Sequence, residues 1–473
     1  MTKNLLLSLT ISTLTVAAFG QADNWSPIIT NGFGTSQNYN VISFQEFKDT
    51  LYTTCGRTGG GQAEMYRSAD GVTWTQVFYG GTPTTKGIAS IMSDTIGGGY
   101  MWMATGDLVQ GTKVYRTQNG TSWIPISTGG FGNNLLWSPT PHMVLYQGTG
   151  DTIPYLYAAG NSHGGPAKSI VLRTPYTNTN PANWDTIVDF NLRDPDVTQV
   201  TYFYIWNSKL YFGTNGDSLL FESTDGINFV ANTGVATDFL GADLLIASLA
   251  EFHGYLYAGT NNQSPVFGGQ LYRTSDGITW NNITSMLTLA GHQPSVDEEL
   301  HKLDTANGFL WITPYTDTAF STSGIPVWRS TDTSVTAFVQ SNTDGFGNPL
   351  IDGENPNIYG FKGREYFGGP NYTNGGQIWR TDLFTGITES IFKNSSVKIY
   401  PNPFSTQTTL QTDKLLINAT LMVYNLFGQK IKQMDNLSGQ VIIFHRDNLK
   451  NGLYFYNIQS ADGTILTGKI IIE

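Results

Sequence analysis

Residues Leu271–Trp280 read LYRTSDGITW, and close relatives of this stretch recur at Met65–Trp74 (MYRSADGVTW) and Val114–Trp123 (VYRTQNGTSW). In each, an aliphatic–aromatic pair of strand character runs into an arginine. A polar turn closed by glycine follows, then Thr or Ser, then Trp. Aligned on the arginine, seven copies are anchored at Arg67, Arg116, Arg173, Glu222, Arg273, Arg329 and Arg380, about 50 residues apart. Each copy has an upstream strand, as in LYFGTNG (Leu210–Gly216), YLYAGTN (Tyr255–Asn261), YMWMATG (Tyr100–Gly106) and YLYAAGN (Tyr155–Asn161). Another short apolar strand precedes it (LIASLAEF, Leu245–Phe252), and a fourth follows the turn (TWNNI, Thr279–Ile283). Four short strands at this period predict the blades of a β-propeller. Helical periodicity is almost absent, which argues against a helical solenoid.

The start of the chain predicts how such a ring closes. NWSPIITNGFG (Asn24–Gly34) resembles SWIPISTGGFG (Ser122–Gly132), and its end recurs in SNTDGFG (Ser341–Gly347). It reads as a fourth strand without its first three. The last copy, QIWRTDLFTGITES (Gln377–Ser390), lacks the Trp that should follow its turn. Trp25–Ile29 is therefore expected beside Gln377–Asp382, pairing edges that an open ring would expose. The fold class expected is all-β: a seven-bladed propeller over residues 23–392, then a small C-terminal β-sandwich over 396–473.

Charged residues are 13% of the 473, aromatics 13%, and glycines number 53. Globular proteins average about 25% charged, so the surface is expected to be covered by Asn, Thr, Ser and aromatic groups. A net charge of −11 without a Lys/Arg stripe excludes nucleic acid as a partner. Lys3 followed by the apolar run Leu5–Phe19 and small residues predicts a secretory signal over residues 1–22, with no membrane-spanning segment in the mature chain. Cys55 is the sole cysteine, so no intrachain disulfide forms and size alone must hold the fold. Cys55 itself reads as a packed strand residue.

Within the turns, Asp70, Asp225 and Asp276 are placed to accept hydrogen bonds from backbone N–H groups, with Asn119 in their place in the second copy. Gly71, Gly226 and Gly277 supply positive φ. Trp74, Trp123 and Trp280 are expected to fill the gap to a neighbouring blade. RSADGVTW, RTSDGITW and ESTDGINF (Glu222–Phe229) resemble the Asp-box, or bacterial neuraminidase, repeat, in a form one glycine shorter. The resemblance implies that these turns join strands three and four, on the face away from the usual ligand site. Repetition makes the same point, because a catalytic acid is needed once or twice and not once per blade. The neuraminidases also carry an Arg-Ile-Pro element, and none occurs here. The repeated arginines are expected to cross-link blades, while Arg57 and Arg193 stand outside the repeat.

The loops joining strands two to three and four to one form the ligand face of a propeller, and they vary most between copies. Those at Arg57–Gln62, Gly106–Thr112, Asn161–Ala167, Asn261–Gly269, Pro314–Pro326 and Pro370–Gly376 are rich in Gly, Asn, Thr and aromatics. That composition suits hydroxyl-rich ligands. Arg57, Tyr315, Asp317 and Tyr372 are the ligand-binding candidates. The stretch GHQPSVDEELHKLDTANG (Gly291–Gly308) breaks the repeat and concentrates acids and histidines. For general acid/base work, Glu298, Glu299 and Asp304 are the first candidates. Its spacing matches no zinc or EF-hand pattern, so neither metal nor other cofactor is expected.

From Ser396 the composition changes. KIYPNPF (Lys398–Phe404), LMVYNLFGQKI (Leu421–Ile431), LKNGLYFYNI (Leu449–Ile458) and LTGKIII (Leu466–Ile472) follow in order. The segment resembles the C-terminal sorting domain of type IX secretion cargo from Bacteroidetes, with Asn425 where Asp is commoner. It carries seven Lys/Arg against five Asp/Glu, a net +2 on an acidic chain. The resemblance implies Sec export, then recognition by the type IX machinery, and a secreted or outer-membrane surface location.

Three functions fit this organisation: a secreted propeller binding a glycan or protein, a glycoside hydrolase or lyase, and a non-catalytic structural surface protein. Two carboxylates about 5–10 Å apart would mark the hydrolase. An aromatic platform without such a pair would mark binding.

Overall fold

The computed structural model describes residues 23–473 apart from 58–60, 95–98, 140–141, 163–166, 195, 240, 265, 294–295, 317–323, 354, 385–396, 426–428 and 460–464. The signal segment expected at 1–22 and the candidate Asp317 lie outside the described residues. The chain divides into two compact units, Met1–Gly386 and Ile387–Glu473.

The first unit is built of antiparallel meanders. Asn40–Phe47, Thr50–Gly56, Ala63–Ser68 and Thr75–Gly80 form one, each strand paired with the next. Val200–Trp206, Lys209–Thr214, Leu220–Ser223 and Val230–Ala231 form another. Each eight-stranded sheet consists of two such meanders joined through a single pair, Gly56↔Gly87 in one and Asn261↔Glu299 in the other. The hairpin between first and second strands has a recurring chemistry. Lys48–Asp49, Asn207–Ser208, His253–Gly254, Asn307–Gly308 and Lys362–Gly363 all take positive φ at both central residues. That is the I′ turn, whose twist matches the strands it joins.

First strands pack side by side. Asn40–Phe47 touches Thr85–Ser93 on one side and Asn357–Phe361 on the other, and Leu245–Phe252 lies between Val200–Trp206 and Asp297–Ala306. Their outer edges are satisfied across these contacts. Ser248 Oγ donates to Leu300 O at 2.9 Å, and Asn357 Nδ2 to Ile42 O at 2.8 Å. Tyr204 and Tyr359 hydroxyls accept from Glu251 N at 2.7 Å and Glu46 N at 3.1 Å.

The strand Trp25–Ile29 pairs antiparallel with Gln377–Thr381, in the register Trp25↔Thr381, Ser26↔Arg380 and Pro27↔Trp379. It is the fourth strand of a sheet whose other members are Gln377–Thr381, Arg364–Gly369 and Asn357–Phe361. Asp23 anchors it through Arg329 at 2.7 Å, and Trp25 Nε1 donates to Ser341 Oγ at 2.9 Å. The Trp25 ring meets Phe346 edge-on at 5.2 Å, and Phe346 stacks on Trp379 at 4.7 Å.

In the second unit the long strand Gln407–Tyr424 pairs with Val397–Tyr400 near its start and with Gly452–Gln459 near its end. Lys430–His445 runs along its other side, and Ile465–Ile472 pairs with Gly452–Gln459. Leu410, Leu421, Val423, Phe444, Ile458 and Ile470 are buried at its centre.

Candidate functional site

The aspartates of the repeated turns are consumed by the turns themselves. Asp276 Oδ1 accepts from Ile278 N and Thr279 N, both at 2.8 Å, and from Thr274 Oγ1 at 2.9 Å. Asp70 and Asp225 repeat the pattern, and Asn119 Oδ1 does so with Thr121 N and Ser122 N. The N–H groups of Ile278 and Thr279 hold the Asp276 carboxyl down at about 2. Gly71, Gly120 and Gly226 have φ of 71°, 73° and 69°, and a Cβ on each would overlap the hydroxyl of Tyr366, Tyr52 or Tyr157 in the preceding meander. Trp280 is buried against Trp206 and Tyr211 of the preceding meander. Trp74 and Trp123 are partly buried in the same way, against Tyr366 and Tyr52.

The arginines of the repeat reach forward. Arg116 Nη1 donates to Tyr176 O at 3.1 Å and Arg273 Nη1 to Ser334 O at 3.3 Å, each in the next meander's turn. Arg380 Nη1 donates to Asp70 O at 3.5 Å, from the last meander back to the first. Arg116, Arg173 and Arg273 each lie over a tyrosine of their own sheet, 4.1–5.1 Å from the ring centre.

Arg57 is held in a nearly buried ion pair. Its Nη1 lies 2.6 Å from Glu64 Oε1, and its Nη2 donates to Gln37 Oε1. Glu64 Oε2 accepts from Asn38 Nδ2 at 2.8 Å and from the Tyr66 hydroxyl at 2.6 Å. The guanidinium is thus committed to bracing a loop. Cys55, beside it, is fully buried; burial pushes its thiol up and leaves it a poor nucleophile. Tyr372 is 47% exposed and stacks on Tyr39 at 4.7 Å with 17° between the rings. Asn371 N donates to Tyr39 O at 2.7 Å, and Asn371 Oδ1 caps the loop at Thr373 N and Asn374 N. The aromatic pair is therefore carried on a loop fixed at its base.

Glu299 and Asp304 are not neighbours. Both lie on Asp297–Ala306, five residues apart, about 15 Å along a strand. Asp304 Oδ2 accepts from Gly360 N at 3.1 Å. Glu299 Oε1 lies 2.6 Å from His301 Nδ1, and Oε2 accepts from Asn261 Nδ2 at 2.9 Å. Burial would raise the Glu299 carboxyl, but the His301 and Asn261 contacts outweigh it and hold it low. Glu298 O accepts from Asn262 N at 2.7 Å, and Tyr315 lies opposite Glu299 in the register.

A second group stands beside this one. Lys302 Nζ donates to the Tyr202 hydroxyl at 3.0 Å, across the strand Leu245–Phe252. The His142 ring stacks on Tyr202 at 4.5 Å, and its Nδ1 lies 2.9 Å from Phe203 O. His142, Tyr202 and Asn261 belong to three successive meanders, and Glu299, His301 and Lys302 to the next. Both sets of contacts meet on the strand Asp297–Ala306. Sequence reading missed His142 and Tyr202, which stand in no motif and become neighbours only when the meanders pack. Among the described residues no three His, Cys, Asp or Glu side chains converge as a metal-binding set.

Residues 398–473 match the secretion system C-terminal sorting domain family. The chain is therefore an all-β cargo of the type IX secretion system, delivered to the cell surface or beyond it. Among the described residues no helix is long and apolar enough to cross a membrane. No curated protein matches the chain in sequence. Solved structures similar to it include the extracellular domain of a one component system of B. thetaiotaomicron, at 11% identity and a TM-score of 0.45 over 96% of this chain and 60% of that one. The chain thus spans about three fifths of that protein's length. A GH93 α-L-arabinofuranosidase of Fusarium graminearum has 12% identity and a TM-score of 0.40, over 75% of this chain and 97% of that one. The sialidase of Trypanosoma rangeli has 10% identity and a TM-score of 0.37, over 95% and 87%.

Proposed function

We propose that this chain is a type IX cargo whose seven-bladed propeller, built on Asp-box-like turns, binds a glycan or protein ligand through its loop face. In this reading residues 1–22 are a removable signal, 23–392 the propeller and 396–473 a β-sandwich sorting domain. The observation that carries it is the Tyr39–Tyr372 stack, an aromatic surface half open to solvent on a loop braced by Asn371. Thr373 and Asn374, next to Tyr372 in the chain, are exposed, which suits a sugar ring laid on an aromatic face. The wide separation of Glu299 and Asp304 weighs against a paired-carboxylate hydrolase.

Screening the tail-less protein against a glycan array tests the reading. Tyr372→Ala is expected to weaken the strongest ligand roughly tenfold, the loss of about 1.4 kcal/mol of stacking. Unchanged binding by the variant would refute this location.

The His142–Tyr202–Lys302 and Glu299–His301 contacts favour a second reading, a lyase or glycoside hydrolase. New reducing ends or unsaturated products, lost in Tyr202→Phe or Glu299→Gln, would put it first. Deleting Ser396–Glu473 is expected to hold the chain in the periplasm, and its undiminished arrival in the medium would contradict the assignment of the tail.

A further inference from the structure

A sorting domain must be read by a protein of the export machinery, and among the described residues one edge of this one is only partly covered. All eight residues of Ile465–Ile472 pair with Gly452–Gln459 on one side. On the other side the cover is partial and comes from the PNPF stretch. Asn402 Oδ1 accepts from Ile471 N at 2.8 Å, and Asn402 Nδ2 donates to Lys469 O at 3.4 Å. Phe404 N donates to Ile471 O at 3.1 Å, and Glu473 N to Phe404 O at 3.0 Å.

These bonds fix which backbone groups face outward in the plane of the sheet. They belong to odd-numbered residues, and in an antiparallel ladder the direction alternates. The N–H of Lys469 and both backbone groups of Thr467 and Ile465 therefore point to the same open side. Among the described residues no strand pairs with them. An apolar edge without proline invites pairing, and proteins commonly blunt it. Here the Asn402–Phe404 clip blunts only the C-terminal half.

We propose that the open half, Ile465–Lys469, is where a protein of the secretion machinery adds an extended segment as an extra strand. Charge indicates its composition. Lys469 is exposed on the edge strand and lies across from Phe455, 46% exposed, in the row Lys430–Tyr424–Phe455–Lys469. A short segment with an acidic residue opposite Lys469 and apolar neighbours complements that row. Backbone bonds would hold it, and Lys469 would set its register.

The test uses the full chain in a type IX-competent host, reading the fraction that reaches the medium. Thr467→Pro removes the outward N–H, a change an edge strand tolerates. Thr467→Val keeps that N–H, and Lys469→Glu reverses the surface charge. Export is expected to fall at least tenfold in Thr467→Pro, with the tail's melting transition retained. It should stay at wild-type level in Thr467→Val and fall severalfold in Lys469→Glu. The Lys469→Glu change is on the surface, so it tests the proposal even if the proline variant does not fold. Wild-type export of a folded Thr467→Pro chain or of Lys469→Glu would overturn the proposal, as would equal loss in Thr467→Val. Tail-to-tail dimers of the wild type, broken by Thr467→Pro while export is unaffected, would assign the edge to a second copy instead.

Discussion

Gly226 does two things at once, and the difference between them can be measured. Its φ of 69° suits a residue without a Cβ, and the Tyr157 hydroxyl occupies the space a Cβ would need. Gly347 has a φ of 82° but nothing within 4 Å of a built Cβ. Gly347→Ala is therefore expected to cost only backbone strain, about 1 kcal/mol. Gly226→Ala adds overlap with the preceding sheet and should cost about 2–4 kcal/mol by guanidinium denaturation. Equal costs would show that the turn glycines serve the turn alone. Asp276 makes a second prediction. Its folded pKa of about 2 lies below the unfolded value near ~3.9, so its stabilisation is present above the unfolded value and lost as pH falls toward 2. Asp276→Asn keeps an acceptor, as Asn119 does in its own turn, and should flatten the acid limb of the stability profile; an unchanged limb would contradict this. These turn residues are legible in the sequence because each bonds within a few positions of itself and the pattern recurs. The His142–Tyr202–Lys302 contact is illegible for the opposite reason, since its members are up to 160 positions apart and belong to no repeat.

At the scale of elements, the arginines and tyrosines of the repeat bond one meander to the next. Arg273 reaches the carbonyl of Ser334, and Arg380 reaches back to Asp70. Arg273→Lys is not conservative there, because one ammonium must replace a planar group that both lies over Tyr255 and donates forward. A loss of about 1 kcal/mol is expected from thermal melting, whereas Lys450→Arg, at an exposed side chain, should change little; equal effects would contradict the cross-linking role. The sequence shows that these arginines share a position, but their partners lie about 60 residues downstream or, for Arg380, near the other end of the chain. Tyr372 could be read as a loop aromatic, yet its stack on Tyr39 could not, because the two residues come from opposite ends of the propeller sequence. Likewise, the crowding of acids in Gly291–Gly308 suggested paired carboxylates, but an extended strand pulls Glu299 and Asp304 apart.

For the whole molecule, the pairing of Trp25–Ile29 with Gln377–Thr381 brings the first and last sheets together and gives Tyr39 its neighbour Tyr372. The likeness of Asn24–Gly34 to Ser122–Gly132 made this pairing readable, since a strand that resembles a fourth strand but has no sheet of its own needs one elsewhere. The most direct measurement is a cross-link between the two ends. Ser26 and Arg380 are register partners, with Cα atoms at the 4.5–5.5 Å spacing typical of antiparallel pairs, within reach of a disulfide. In a Ser26→Cys, Arg380→Cys chain, mild oxidation should close the bond in nearly all folded molecules, with Cys55 too buried to compete. The product should be a monomer of faster non-reducing mobility and a higher melting temperature. Failure of the bond to form in folded protein, or its formation only between molecules, would contradict the closed arrangement and the loop face built on it.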